Sequence, residues 1–297
     1  MSFTADVKTE LSAIELPDES VKRAYAYGFL LFGKSFNVRS ISCSSDYKCV
    51  IDSFSQTIRE LTGINPAVSN LKSGKWVMKI PSQADRKKLL EFFDHSGNEI
   101  SLRINHGNFM NDEAYYPFLR GAFMSCASLS NPDKGYHLEF VIQYNKLSND
   151  LLKILTGYDL KAKYILRKYS HVIYIKGSEN IEDLLTMMGA QTSSLRLMGI
   201  KVQKDVRNAI NRRMNFESAN MSRSIEAGLA QVRAIEIIES KQGLDSLSDE
   251  LKELAILRKE NPDLSLKELG AALSVPISRS GVNHRLAKLI SLAEKYE

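Results

Sequence analysis

From Ser274 to Ala293 the chain carries no acidic residue and three cations, Arg279, Arg285 and Lys288. Ser278, Ser280, Asn283 and His284 stand among them. Val282, Leu286, Leu289 and Ile290 recur at helical spacing through the same stretch. A helix starting near Ser278 therefore buries one face and offers hydroxyls, an amide, an imidazole and cations on the other. A helix that reads DNA needs this chemistry. Donors and acceptors near its N-terminus reach base edges, and cations around them meet phosphates. A merely solvated helix face usually mixes both charge signs, and this one does not. The expected DNA-contacting residues are Ser278, Arg279, Ser280, Asn283, His284, Arg285 and Lys288. Arg279, Ser280 and Asn283 are placed at base edges; Arg285 and Lys288, further along, are placed at the backbone.

A second basic stretch runs from Lys201 to Arg223. Lys201, Lys204, Arg207, Arg212, Arg213 and Arg223 outnumber Asp205 and Glu217, with Asn208, Asn211, Asn215 and Asn220 interspersed. Cations mixed with amides suit a surface that tracks phosphates. Lys204, Arg207, Arg212, Arg213 and Arg223 are thus further candidates for DNA contact, although a solvated linker helix reads the same way.

Other chemistry finds little support. Gly28-Phe29-Leu30-Leu31-Phe32-Gly33-Lys34-Ser35 spells the letters of a phosphate-binding P-loop. Such a loop follows a buried strand and opens a helix. Here Val21 to Tyr27 reads as helix, the residues after Ser35 read as strand, and Phe-Leu-Leu-Phe is a buried helix face. The string is rejected as a P-loop. The histidines (His95, His106, His137, His171 and His284) are scattered, and Cys43 and Cys49 flank a hairpin without a partnered pair. No metal spacing and no nucleophile elbow occurs, so no catalytic residue, metal or cofactor is expected.

Elements must position these residues. A length of 297 residues, at roughly 150 per domain, suggests about two domains. With 43% apolar and 25% charged residues, a disordered or collagen-like chain is excluded. The net charge of +5 permits a nucleic-acid partner without demanding one. The longest apolar run, Ala24 to Gly33, is about half a membrane span, so no transmembrane helix is expected. Met1 to Asp6 lacks a basic region followed by an apolar stretch, so no signal peptide is expected. Three cysteines cannot form a disulfide framework and point to a reducing cytoplasm.

The first 195 or so residues contain an internal echo. Gly28-Phe29-Leu30-Leu31-Phe32 is followed by an alternating stretch at Val38 to Ser42, a helix from Cys49 to Leu61-Thr62-Gly63, and a strand at Trp76 to Ile80. Gly121-Ala122-Phe123-Met124 is followed by a strand at His137 to Ile142, a helix from Asn149 to Leu155-Thr156-Gly157, and a strand at Val172 to Lys176. Corresponding positions are 93 or 94 residues apart. The pattern predicts a duplicated α+β unit with pseudo-two-fold symmetry. Each Leu-Thr-Gly glycine is expected to end its helix in the left-handed conformation.

The remainder reads as helix. A long helix covers Glu217 to Glu239 and Gly243 closes it. Ser248 to Glu260 forms a second helix, ended by Asn261-Pro262-Asp263. Ser265 and Glu268 make a capping box for a third. A turn of three to four residues around Pro276 then leads to the helix that starts near Ser278. The last two form a helix-turn-helix, and Gly270, Ala271 and Ala272 permit close crossing.

The segment Leu119-Arg120-Gly121-Ala122-Phe123-Met124-Ser125-Cys126-Ala127-Ser128 resembles a degenerate LAGLIDADG helix, the signature of a homing-endonuclease fold. Tyr27 to Ser35 is its matching first copy. In that fold each such helix delivers a carboxylate to a metal ion. The acidic position falls here on Gly33 and on Cys126, and neither offers the oxygen ligand that Mg²⁺ requires. A degenerate duplication of this kind followed by a helix-turn-helix is similar to the WhiA family of bacterial DNA-binding regulators. Asn215-Phe216-Glu217-Ser218-Ala219-Asn220, Ser265 to Gly270 and Ser278 to Leu286 carry the resemblance together with Leu119 to Phe123. It implies a role in cell division and chromosome segregation, or in sporulation in some lineages, and no nuclease activity.

The expected fold class is α+β: an αββαββ domain over residues 1–200 with repeats at about 20–95 and 112–195, a basic linker helix over 201–244, and a helix-turn-helix over 245–297. The expected function is sequence-specific, non-enzymatic binding of double-stranded DNA by a cytoplasmic, nucleoid-associated transcription regulator. The saddle-shaped sheet of the N-terminal domain is expected either to touch DNA or to serve as a platform for a protein partner. A metal-dependent nuclease with unusual ligands and a division or nucleoid scaffold are the alternatives.

Overall fold

Asp18 starts the first of two central helices by accepting a hydrogen bond from the Val21 amide at 2.8 Å. From Ala24 to Leu31 the helix it caps is buried at every position, and its sequence there is apolar or aromatic all round. The structure is a computed structural model that describes residues 2–296. It divides into two units after Lys204.

In the first unit α1 (Phe3–Ser12) precedes α2 (Glu19–Leu31), β1 (Ser35–Phe36), β2 (Ile41–Ser45), α3 (Lys48–Thr62), β3 (Ala67–Asn70), β4 (Trp76–Lys79) and α4 (Gln83–Phe92). After a connection containing two short 3₁₀ turns, the order repeats. It runs through α5 (Tyr115–Cys126), β5 (Ala127–Leu129), β6 (His137–Ile142), α6 (Asn145–Gly157), β7 (Lys163–Arg167), β8 (Ser170–Lys176) and α7 (Ser178–Met188). The sheets have the equivalent strand orders β1-β2-β4-β3 and β5-β6-β8-β7, and every pairing is antiparallel. The duplicated αββαββ fold read from the sequence is therefore present.

Register divides each sheet into two faces. Cys43 opposite Met78 points to the helices and is buried, whereas Ser42 opposite Lys79 and Ser44 opposite Val77 lie on the other face. In the second sheet Leu138 and Phe140 are buried opposite Ile175 and Ile173. The core between the sheets is built on α2 and α5, with Tyr25, Tyr27, Phe29, Phe118 and Phe123 among its largest fully buried side chains.

The second half differs locally from the sequence reading. Gly63 does end α3 in the left-handed conformation, at φ +72°. Gly157 does not; it is the last residue of α6, and Asp159 takes the positive φ instead. α6 also begins at Asn145, four residues earlier than expected.

The linker helix starts well before residue 201. α8 runs without interruption from Gln191 to Gln242 and spans the division between the units. Gly243 follows it at φ +75°. The second unit continues with α9 (Asp249–Glu260), α10 (Leu266–Ala272) and α11 (Arg279–Ala293). Its core combines Leu251, Leu254, Leu269, Val282, Leu286 and Leu289 with Ala234, Ile235 and Ile238 of α8. A boundary at residue 245 would cut through that core.

Candidate nucleic-acid interface

α10 and α11 form the helix-turn-helix. Ser265 and Glu268 make the capping box of α10 in both directions. Gly270 then allows close approach: a Cβ there would overlap the Ile277 carbonyl oxygen and crowd Val282. The Ile277 amide donates to the Gly270 carbonyl at 3.0 Å. The connection covers residues 273–278, six residues and not three to four, because α10 stops at Ala272. Glu253 of α9 holds it, accepting from the backbone amide and the hydroxyl of Ser274, each at 2.6 Å.

Ser278 caps α11, accepting from the Gly281 amide at 3.3 Å, and its hydroxyl lies 2.9 Å from that of Ser280. Val282, Leu286 and Leu289 turn inward. Ser278, Arg279, Ser280, Asn283, His284 and Lys288 are all exposed. The helix N-terminus, with its free amides and positive dipole end, lies beside the exposed Arg279 and Ser280.

Arg285, expected among the phosphate contacts, is held in an ion pair within the unit. Six residues after Arg279, it falls on the flank of α11 that faces α9, and its guanidinium is 2.7 Å from Glu250. It is half-buried there. No local pattern signals this, since Glu250 lies 35 residues earlier in the chain. Arg258, also missed, braces the same unit. It is buried, with Nε donating to Gln231 of α8 at 2.8 Å and Nη1 to the Leu264 carbonyl at 2.7 Å.

The basic stretch on α8 is mixed in its commitments. Lys204 donates to the Pro132 carbonyl and sits 4.8 Å from the Tyr136 ring centroid. Arg213 pairs with Glu217 at 2.9 Å. Arg207, Arg212 and Arg223 are exposed, with no ion-pair partner among the described residues. Val202, Val206, Ile210 and Met214 are exposed on the same helix.

In the first unit the structure brings Gly33 and Cys126 to one cleft at the foot of α2 and α5. A Cβ on Gly33 would lie 2.5 Å from Cys43 Sγ and 3.1 Å from the Ser42 carbonyl oxygen, so no carboxylate fits there. Burial pushes the Cys126 thiol up to about 12, leaving it neutral. The pair does not fit the divalent metal that a homing endonuclease holds. Among the described residues no three His, Cys, Asp or Glu side chains are grouped to hold a metal ion. The histidines are engaged singly, as in Tyr27 Oη to His95 Nε2 at 2.9 Å and Tyr164 Oη to His171 Nδ1 at 2.7 Å.

Two family models match this arrangement, the WhiA LAGLIDADG-like domain over residues 116–207 and the WhiA C-terminal HTH domain over residues 210–293. The chain belongs to the WhiA family. The "Probable cell division protein WhiA" of Thermoanaerobacter pseudethanolicus is 35% identical, over 99% of this chain and 98% of that protein. The WhiA of Staphylococcus haemolyticus, of the same name, is 33% identical over 99% and 97%. A crystal structure of full-length DUF199/WhiA from Thermotoga maritima has the same fold, with a TM-score of 0.60 at 24% identity, covering 100% of this chain and 99% of that one. No helix among the described residues is long and apolar enough to cross a membrane.

Proposed function

We propose that the protein is a non-enzymatic, sequence-specific DNA-binding regulator that acts in cell division and chromosome segregation and associates with the nucleoid. The observation that carries this reading is the exposed face of α11. Arg279, Ser280 and Asn283 follow a capped N-terminus, and the stretch contains no acid. Such a face places bidentate donors at base edges and leaves Lys288 for a phosphate. Arg207, Arg212 and Arg223 add exposed cations on α8, and the names of the relatives supply the cell-division context. Base readout by α11 and phosphate contact by α8 together give binding that depends on both sequence and salt. Hydrolysis of DNA needs anionic oxygen ligands beside the scissile phosphate, and Gly33 and Cys126 cannot supply them.

The test is genome-wide occupancy of the protein together with transcript levels after deletion. Regulation requires that genes beside occupied sites change expression. Occupancy without such changes would instead make the protein a scaffold that DNA only localises. Incubation with supercoiled and linear DNA in Mg²⁺ or Mn²⁺ should leave both intact. Cleavage that is lost on mutating one acid of this chain would overturn the non-enzymatic reading.

A further inference from the structure

The cleft that holds Gly33 and Cys126 is lined by cations and by no acid among the described residues. It encloses about 680 Å³ between the two sheets and the ends of α2 and α5, and three lysines line it, Lys34, Lys75 and Lys79. No carboxylate lines it among the described residues. Lys75 stands 3.6 Å from Asp46, outside the lining. The ammonium groups of Lys34 and Lys79 have no hydrogen-bond or ion-pair partner among the described residues. Three cations on one lining with no carboxylate beside them give it a positive potential that attracts an anion.

Position along the chain explains why these lysines share one lining. Lys34 follows the end of α2, and Lys79 is paired with Ser42 on the sheet face turned away from the core. The Ser44 and Ser125 hydroxyls also line the space and can donate to phosphate oxygens, while that of Ser42 is held by Ser35 Oγ at 2.8 Å. Behind Cys126, the buried Lys8 donates to the Met124 carbonyl at 3.0 Å and adds positive potential to this end of the cleft.

The remaining wall is apolar. Val77, Val141 and Leu147 contribute to it, together with the exposed ring of Tyr144. A volume of this size falls within the range of roughly 300–1,000 Å³ occupied by small organic ligands. An aromatic edge beside a cationic floor suits a planar base joined to several phosphates.

We propose that this cleft binds a nucleoside polyphosphate, with its phosphates on Lys34, Lys79 and Lys75 and its base against Tyr144. The mode is unlike a P-loop. Side chains from one strand and two loops hold the phosphates, not backbone amides at a helix start. Lys34 of the rejected Gly-rich string thus serves phosphate by a different geometry. The proposal is independent of DNA readout by α11.

The full-length protein is titrated calorimetrically with inorganic tripolyphosphate and with adenosine triphosphate, without divalent cations. Both should bind saturably, the nucleotide more tightly. The double variant Lys34→Gln, Lys79→Gln should lose at least ten-fold in affinity for both. Tyr144→Ala should lose affinity for the nucleotide alone. Lys34 and Lys79 are exposed, so the double variant should melt like wild type and bind duplex DNA as before. Absence of saturable binding for either probe, or binding unaffected by the double variant, overturns the proposal. A double variant that loses duplex binding ten-fold, with no tripolyphosphate bound by wild type, would overturn it too and assign the cleft to DNA phosphates.

Discussion

Gly28 and Gly121 lie against one another's helices: a Cβ on Gly28 would overlap the Phe118 carbonyl oxygen, and one on Gly121 the Tyr25 carbonyl oxygen. The contact is reciprocal, as a duplicated helix pair crossing at a pseudo-dyad requires. Backbone against backbone leaves no flexible side chain to yield. Gly28→Ala or Gly121→Ala must push α2 and α5 apart. Each should cost at least the ~1–3 kcal/mol of an overpacked core. Gly199→Ala is the control, because Gly199 is exposed within α8 with open space around it. That change should stabilise by up to about 1 kcal/mol through helix propensity. Urea melts of the three variants test the contrast. Wild-type stability in Gly28→Ala would show that the helices do not cross this tightly.

The duplication was legible because buried elements carry strong patterns. The run from Phe29 to Leu31, the matched Phe123-Met124, and the strands around Met78 and Ile173 are all buried. β3 and β7 were not legible. Every residue in both is exposed, so no alternation of apolar and polar side chains marks them. Nor was the early start of α8. Its apolar residues Val202, Val206, Ile210 and Met214 recur every four residues and remain exposed. Of the exposed polar face of α11, position on the helix was legible from local spacing and the Ser278 cap. The capture of Arg285 was not, because Glu250 reaches it only through tertiary packing.

Lys8 should make stability depend on alkaline pH. Burial pushes its ammonium down from 10.5 to about 8, while the unfolded chain keeps the ordinary value. Between those two pH values the unfolded chain holds the extra proton, so stability rises with pH through that window. Below about pH 8 both states are charged and the burial cost is fully present. Lys8→Met removes the ionisation. Wild type should therefore gain on Lys8→Met from pH 8 to 10.5, by an amount on the order of 3 kcal/mol, and gain nothing below pH 7. Paired urea melts across pH 6 to 10 read the difference. A constant difference would show that Lys8 keeps its proton in the folded state.

Glu250 restrains a cation that DNA could use. Its pair with Arg285 is partly exposed, with side chains 71% and 23% accessible, and such pairs contribute about 0–1 kcal/mol. Glu250→Gln should leave the melting curve nearly unchanged. It removes one negative charge beside α11 and frees the guanidinium. Affinity for random duplex should rise, and the salt dependence should steepen by about one counterion. Filter-binding or anisotropy titrations at several salt concentrations measure both. An unchanged slope would mean that Arg285 stays away from phosphate even when released.

Arg279 and Lys288 should separate reading from anchoring. Arg279 opens α11 one residue after the Ser278 cap, where a recognition helix meets base edges. Lys288 lies nine positions further on and is exposed, where a helix leaving the groove meets the backbone. A base contact discriminates between sequences and a phosphate contact does not. Arg279→Ala should therefore cost about 1–3 kcal/mol on the preferred site and much less on scrambled duplex. Lys288→Ala should weaken both alike and flatten the salt slope by about one unit. Full-length variants are titrated on both duplexes over a range of salt, which retains the Ile235 and Ile238 contacts that complete the helical core. Equal losses on the two duplexes for Arg279→Ala would make Arg279 a phosphate contact. Readout would then have to come from Ser280 and Asn283, or from the arginines of α8.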